Sequence, residues 1–190
     1  CGIIPQHGSV NLQDILRRLG GGIYISTRVC NVPKGSGLGT SSILEGAAVK
    51  AIGEFLGEDW SDSVLYQRVL NLEQIMSTGG GWQDQVGGLT PGVKYITTKP
   101  GMKQEIKVEH IELDEATKAE LQERFALIYT GQRRLARNLL RYVVGGYIGG
   151  RPESIEALEE MKHLAVLMRY ELEQGRIDEF AKLLNRHWEV

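Results

Sequence analysis

Three stretches of the chain hold residue types that could do chemistry. The first is 33–42, Pro33-Lys34-Gly35-Ser36-Gly37-Leu38-Gly39-Thr40-Ser41-Ser42. Its alternating glycines remove the Cβ atoms that would keep a bulky anion at a distance. Thr40, Ser41 and Ser42 bring hydroxyls to the point where a helical pattern begins. The first amide N–H groups of a helix lack internal partners and carry the positive end of its dipole. In physical terms this is a phosphate cradle; the plain alternative is a flexible turn with a Ser/Thr N-cap. It is not a GxxxxGK[ST] loop, because Thr40 rather than Lys follows the last glycine. It is also a poor dinucleotide fingerprint, since the third glycine comes one residue early and no second strand ends in an acid.

The second candidate is Glu73. On a wheel of ~100° per residue it falls between Val69 and Tyr66, inside the apolar arc of its helix. A carboxylate there is expensive unless paired with a cation or a hydrogen-bond donor. The third stretch is 77–88, with five glycines in twelve residues around Trp82-Gln83-Asp84-Gln85. That density argues against a helix interior or a central strand. The embedded polar and aromatic residues are unlike a linker, so a binding loop is expected.

Several elements must position these residues. A helix from Asn11 to about Leu19 precedes Gly20-Gly21-Gly22. Ile23, Ile25, Thr27 and Val29 alternate with Tyr24, Ser26, Arg28 and Cys30, which predicts a strand leading into the cradle. Ile43, Leu44, Ala47, Ala48, Ala51, Ile52, Phe55 and Leu56 make a helical stripe closed by Gly57. Ser61 caps a helix over about 62–76. Segments 93–97 and 106–113 read as a hairpin, and Asp114 caps a helix to about Arg124. Phe125 to Tyr129 reads as a buried strand. Helices follow over about 133–147, from Pro152 to near Gly175, and from Ile177 onward.

Composition narrows the function classes. A formal net charge of -2 over 190 residues argues against charge-driven binding to nucleic acid or a membrane surface. No apolar run approaches the ~20 residues needed to span a bilayer. Cys1 and Cys30 make neither a zinc pattern nor a disulfide framework, and the four histidines stand singly. A reducing, cytoplasmic setting is therefore expected. The chain starts at Cys1 and stops at Val190 within an apparent helix, as a piece of a longer protein would.

The pattern Pro-x-x-x-Gly-Leu-Gly-Thr-Ser-Ser, followed by an Ala-rich helix, resembles the ATP loop of the GHMP kinases. This superfamily includes galactokinase, homoserine kinase, mevalonate kinase and phosphomevalonate kinase. The runs 31–44, 79–85 and 129–140 are most similar to its fucokinase family. The resemblance implies ATP and Mg²⁺, with Pro33, Lys34, Gly35, Ser36, Gly37, Leu38, Gly39, Thr40, Ser41 and Ser42 around the nucleotide. By the same likeness Ser41 and Glu73 serve the metal, with Thr40 an open alternative to Ser41, and Asp84 orients or deprotonates the acceptor hydroxyl. Gly81, Trp82, Gln83 and Asp84 would face the sugar, with Thr130 or Arg137 near phosphate or sugar. For Trp82, packing under the loop is the alternative.

The resemblance further implies an α/β (α+β) two-layer GHMP fold. Residues 1–112 would form a ribosomal-protein-S5-like N-terminal part, and 113–190 a helical, ferredoxin-like C-terminal part. The expected activity is ATP-dependent phosphorylation of the anomeric hydroxyl of L-fucose. The partners would be small-molecule sugar and ATP, with neither nucleic acid nor membrane, and a guanylyltransferase domain could be fused outside this chain. A heptose 7-phosphate kinase, a galactokinase and a non-catalytic sensor of the same fold are the alternatives. Retention of both Glu73 and Asp84 argues against the sensor. The family's first motif is not found before the cradle, and its third is expected beyond Val190.

Overall fold

The computed structural model describes residues 11–33, 36–76, 81–101, 105–129, 131 and 136–190, without the side chains of Leu12 and of 136–140. The chain divides into two units. One comprises Cys1–Thr90 with Gly131–Arg134, and the other Pro91–Thr130 with Leu135–Val190.

In the first unit Asn11 caps α1 (Leu12–Arg18), its side chain accepting the Gln13 N–H at 3.0 Å. The centre of the unit is α2 (Thr40–Phe55), α3 (Asp62–Ile75) and α4 (Gln83–Leu89). Helix α2 buries a stripe of small residues, Ser42, Gly46, Val49 and Gly53, each about one turn from the next. Helix α3 answers with Leu65, Tyr66, Val69 and Glu73. Val49, Leu65 and Val69 form the core, with Trp60, Leu72 and Leu89 packed against it. Ser42 meets Glu73 at one end, while Val49 meets Leu65 and Val69 further along, so α2 and α3 run antiparallel.

The glycine-rich stretch 77–88 differs from the expected loop. Residues 77–80 lie outside the described set, but the chain is helical from Gln83, with Gly87 and Gly88 inside α4. The reason is close packing. A Cβ on Gly88 would stand 2.5 Å from Ile43 Cγ1 of α2, and one on Gly46 would collide with the Leu89 side chain. The two helices approach so tightly only because both lack side chains there, which outweighs a helix-propensity loss of about 1 kcal/mol per glycine.

In the second unit β1 (Lys94–Thr98) and β2 (Ile106–His110) pair antiparallel, from Lys94 opposite His110 to Thr98 opposite Ile106. Asp114 caps α5 (Glu115–Arg124) by accepting the Thr117 N–H at 2.7 Å. Next come α6 (Ala136–Ile148), α7 (Pro152–Glu173), with Pro152 in its first turn, and α8 (Ile177–Glu189). Ile111, Leu113, Leu172 and Ile177 form this unit's core, flanked by Val93, Tyr95, Leu121 and Phe180. Arg169 ties α7 to β2 through Glu109 at 3.1 Å, bonds Glu173 at 2.7 Å, and lies over the Tyr95 ring.

Two expected strands are absent among the described residues. Residues 22–30 carry no ladder, and Tyr24 is 91% exposed. Phe125 to Tyr129 is likewise unpaired, with Phe125, Leu127, Ile128 and Tyr129 all exposed rather than buried. The alternating pattern supplies a side-chain period, but a strand also needs a neighbour for its N–H and C=O groups, and the only ladder among the described residues joins β1 and β2. The class is therefore mixed helix and sheet, with the helices dominant.

Candidate functional site

Backbone conformation builds the mouth of α2. Gly37 and Gly39 have φ of +80° and +62°, a region that glycine enters without a Cβ penalty. Gly39 is the N-cap residue, and no side chain caps the helix. The Ser/Thr-capped turn is thus not what forms. The first intrahelical bond runs from the Ile43 N–H to the Gly39 carbonyl at 3.1 Å. The N–H groups of Thr40, Ser41 and Ser42 come before it, at the positive end of the helix. The buried Ser36 hydroxyl in the preceding loop has no partner among the described residues. Pro33 and Leu38 are exposed, Thr40 is half-buried, and Lys34 and Gly35 lie outside the described residues.

The carboxylates converge on this mouth. Glu73, 6% exposed, accepts a hydrogen bond from the Ser42 hydroxyl, and Ser42 is itself 2% exposed. The expected core-edge carboxylate is thus buried, and it has a donor. Ser41, the serine expected beside Glu73, is exposed on the same turn, so the hydroxyl that holds Glu73 belongs to its neighbour. Asp84 arrives from the first turn of α4, where a Cβ on Gly39 would stand 3.6 Å from the Asp84 side chain. Asp84 is exposed and Glu73 is buried, so one carboxylate faces incoming molecules while the other is fixed in the wall.

Glu45, one turn after Ser42 on α2, belongs to the same cluster. Burial raises its carboxyl pKa, and the nearby Glu73 raises it further. Its Oε2 is buried without a hydrogen-bond partner among the described residues. Of the expected sugar-facing residues, Gly81, Gln83 and Asp84 are exposed and Trp82 is half-buried just before α4. Thr130 lies outside the described residues. Arg137 is in α6, and its side chain is also outside them.

The donor set suits a hard, mostly hydrated cation. Among the described residues no group of three or more His, Cys, Asp or Glu side chains could hold a metal ion. One buried carboxylate with a serine hydroxyl nearby is what Mg²⁺ accepts, because it keeps water and phosphate oxygens for its other positions. The open N–H groups and the unpartnered Ser36 hydroxyl fit the phosphates.

Comparison with known proteins places the segment that carries these residues. A family model described as the GHMP kinases N terminal domain matches residues 10–91, which include the cradle, Glu73 and Asp84. The chain carries a GHMP kinase N-terminal domain. The chain is 37% identical to an L-fucokinase/L-fucose-1-P guanylyltransferase of Bacteroides fragilis, over 100% of its own length and 20% of the relative's. It is 39% identical to a bifunctional fucokinase/GDP-fucose pyrophosphorylase of Arabidopsis thaliana, over 84% of the chain and 15% of the relative. A D-glycero-alpha-D-manno-heptose 7-phosphate kinase of Campylobacter jejuni is 26% identical over 83% of the chain and 46% of the relative. The chain thus spans a fifth or less of the two bifunctional relatives. No helix among the described residues is long and apolar enough to cross a membrane.

Sequence reasoning missed Ser42 as the partner of Glu73, and it missed Glu45 altogether. A signal for Ser42 was present. It heads the buried run Ser42, Gly46, Val49, Gly53, which shares one helix face, while Ser41 lies ~100° away.

Proposed function

We propose that the polypeptide to which this GHMP kinase domain belongs is an ATP- and Mg²⁺-dependent sugar kinase that phosphorylates the anomeric hydroxyl of L-fucose. The observation that carries this reading is the meeting of the Ser42–Glu73 pair and Asp84 at the open mouth of α2. ATP brings the phosphoryl group, and Mg²⁺ neutralises charge on the phosphates. The N–H groups of Thr40 to Ser42 and the Ser36 hydroxyl hold the phosphates, while Ser41 and Glu73 offer oxygens to the metal. Before the metal binds, the Ser42 hydroxyl holds the Glu73 carboxylate. Asp84, exposed at the rim, orients the sugar hydroxyl and takes its proton. The names of the two bifunctional relatives favour fucose as the acceptor and a nucleotidyltransferase portion outside this chain. In the same reading residues 1–112 belong to an S5-like N-terminal domain and 113–190 to a ferredoxin-like C-terminal one.

The Campylobacter relative favours a second acceptor, a heptose 7-phosphate. A panel of free sugars and sugar phosphates, with ATP and Mg²⁺ and a polypeptide lengthened to match the relatives, separates the two. Fucose 1-phosphate is the expected product. Preference for the heptose phosphate or galactose would overturn the substrate, and failure of every sugar would overturn the kinase.

A further inference from the structure

Gln85 is the least explained residue near this site. It is 0% exposed, and neither its amide oxygen nor its amide nitrogen has a hydrogen-bond partner among the described residues. Buried side-chain amides are almost always bonded, and an unpaired one carries its full desolvation penalty. Helix register places this amide. Along α2 and α4, Gly39 meets Asp84, Ile43 meets Gly88 and Gly46 meets Leu89, so the two helices run parallel. The Gly46–Leu89 contact puts Gln85 level with Ser42, and the Gly39–Asp84 and Ile43–Gly88 contacts put it level with Thr40, two residues away. Helix α3 gives a neighbouring level from the other side. The Tyr66 hydroxyl is bonded to the Thr90 hydroxyl just past α4, and Glu73 lies two turns along α3 from Tyr66. Two turns back from Thr90 on α4, running the opposite way, is the level of 83. Both registers bring Gln85 to within about two residues, ~3 Å along the axes, of the Ser42–Glu73 pair.

We propose that Gln85 is a positioning residue of the phosphate site, its amide taking up the Ser42 hydroxyl and the inner Glu73 oxygen when a metal-bound nucleotide engages Glu73. A carboxylate that turns toward a cation withdraws from the hydroxyl that was donating to it. The Ser42 hydroxyl then needs another acceptor, and the Gln85 amide oxygen is close to its level. The amide nitrogen is a donor for the carboxylate oxygen that remains facing the wall. An amide that is a liability without the nucleotide thus becomes an asset with it, which accounts for a polar side chain at a position that packing alone would give to Met or Leu.

The inference rests on the nucleotide-binding part of the proposed function, and the experiment keeps the two apart. Gln85→Met matches the side chain in length and removes the amide. Thermal unfolding and binding of a non-hydrolysable ATP analogue, with and without Mg²⁺, are measured for wild type and variant in a polypeptide lengthened to match the relatives. The variant is expected to unfold about 2–12 °C higher, because a buried unpaired amide has gone. It is also expected to bind the Mg²⁺–nucleotide about 5–10-fold more weakly, the loss of one or two hydrogen bonds, with metal-free nucleotide binding unchanged. A variant that unfolds lower, that binds the metal complex as tightly as the wild type, or that loses metal-free binding equally, overturns the inference. A wild type that binds no Mg²⁺–nucleotide overturns the nucleotide reading and the inference together.

Discussion

Adjacent serines on α2 should separate stability from catalysis. Ser42 is buried and donates to a carboxylate that is itself 6% exposed, whereas Ser41 is exposed. A hydrogen bond to a charged group is worth about 1.5–3 kcal/mol, and water cannot readily replace it at so buried a site. Ala fits the space that Ser42 occupies, so the loss in Ser42→Ala comes from the hydroxyl and not from a cavity. In a chain of this size each kcal/mol moves Tm by about 2–4 °C, so the expected fall is about 3–12 °C. Ser41→Ala should stay within about 0.5 kcal/mol of the wild type, as surface substitutions do. Activity should split the other way: on the proposed mechanism Ser41→Ala lowers Mg²⁺-dependent turnover while leaving unfolding unchanged. Circular-dichroism melts and urea titrations of both variants, alone and combined with Glu73→Gln, give the coupling energy directly. Removing Ser42 should cost less when the acceptor is already neutral, with a coupling of about 0.5–3 kcal/mol. Equal losses for the two serines, or no coupling between Ser42 and Glu73, would refute the assignment of this pair.

Gly53→Ala should destabilise the first unit even though alanine favours helix by about 1 kcal/mol. The new Cβ would stand 2.7 Å from the Trp60 ring, which also packs against the Arg68 guanidinium at 4.0 Å, and overpacking costs about 1–3 kcal/mol. Urea unfolding checks the sign. Glu45→Gln should stabilise the protein at neutral pH. The Glu45 carboxyl titrates higher in the folded protein than in the unfolded chain, because of burial and then of Glu73, so its ionisation opposes folding. The folded state holds this proton more tightly, and the advantage of Gln over Glu should fade as pH falls toward about 4. Melts from pH 4 to 8 read this out, and a gap that widens on acidification would contradict it.

Most helices and the turn into α2 were legible because local rules agree there. Glycines, hydroxyls and an apolar stripe all name the start of α2, and the helical wheel already put Glu73 on the buried side. The two missing strands were not legible in the same way. Ile23 to Val29 and Phe125 to Tyr129 carry the side-chain pattern of a strand, but pattern says nothing about a pairing partner. Helix α4 was hidden for the opposite reason: Gly87 and Gly88 argue against a helix locally, and only the approach of Ile43 and Leu89 shows why glycine is needed. The choice of Ser42 over Ser41 also depends on packing, since it follows from which face of α2 meets α3.

The central claim, that Asp84 serves phosphoryl transfer at the mouth of α2, is tested most directly by Asp84→Asn in the polypeptide extended to the length of its relatives. Because Asp84 is exposed, its unfolding temperature should be unchanged. Transfer of phosphate from ATP to fucose should fall by about 10²–10⁴-fold, as when a general base is removed. Turnover by Asp84→Asn at the wild-type rate would contradict the account.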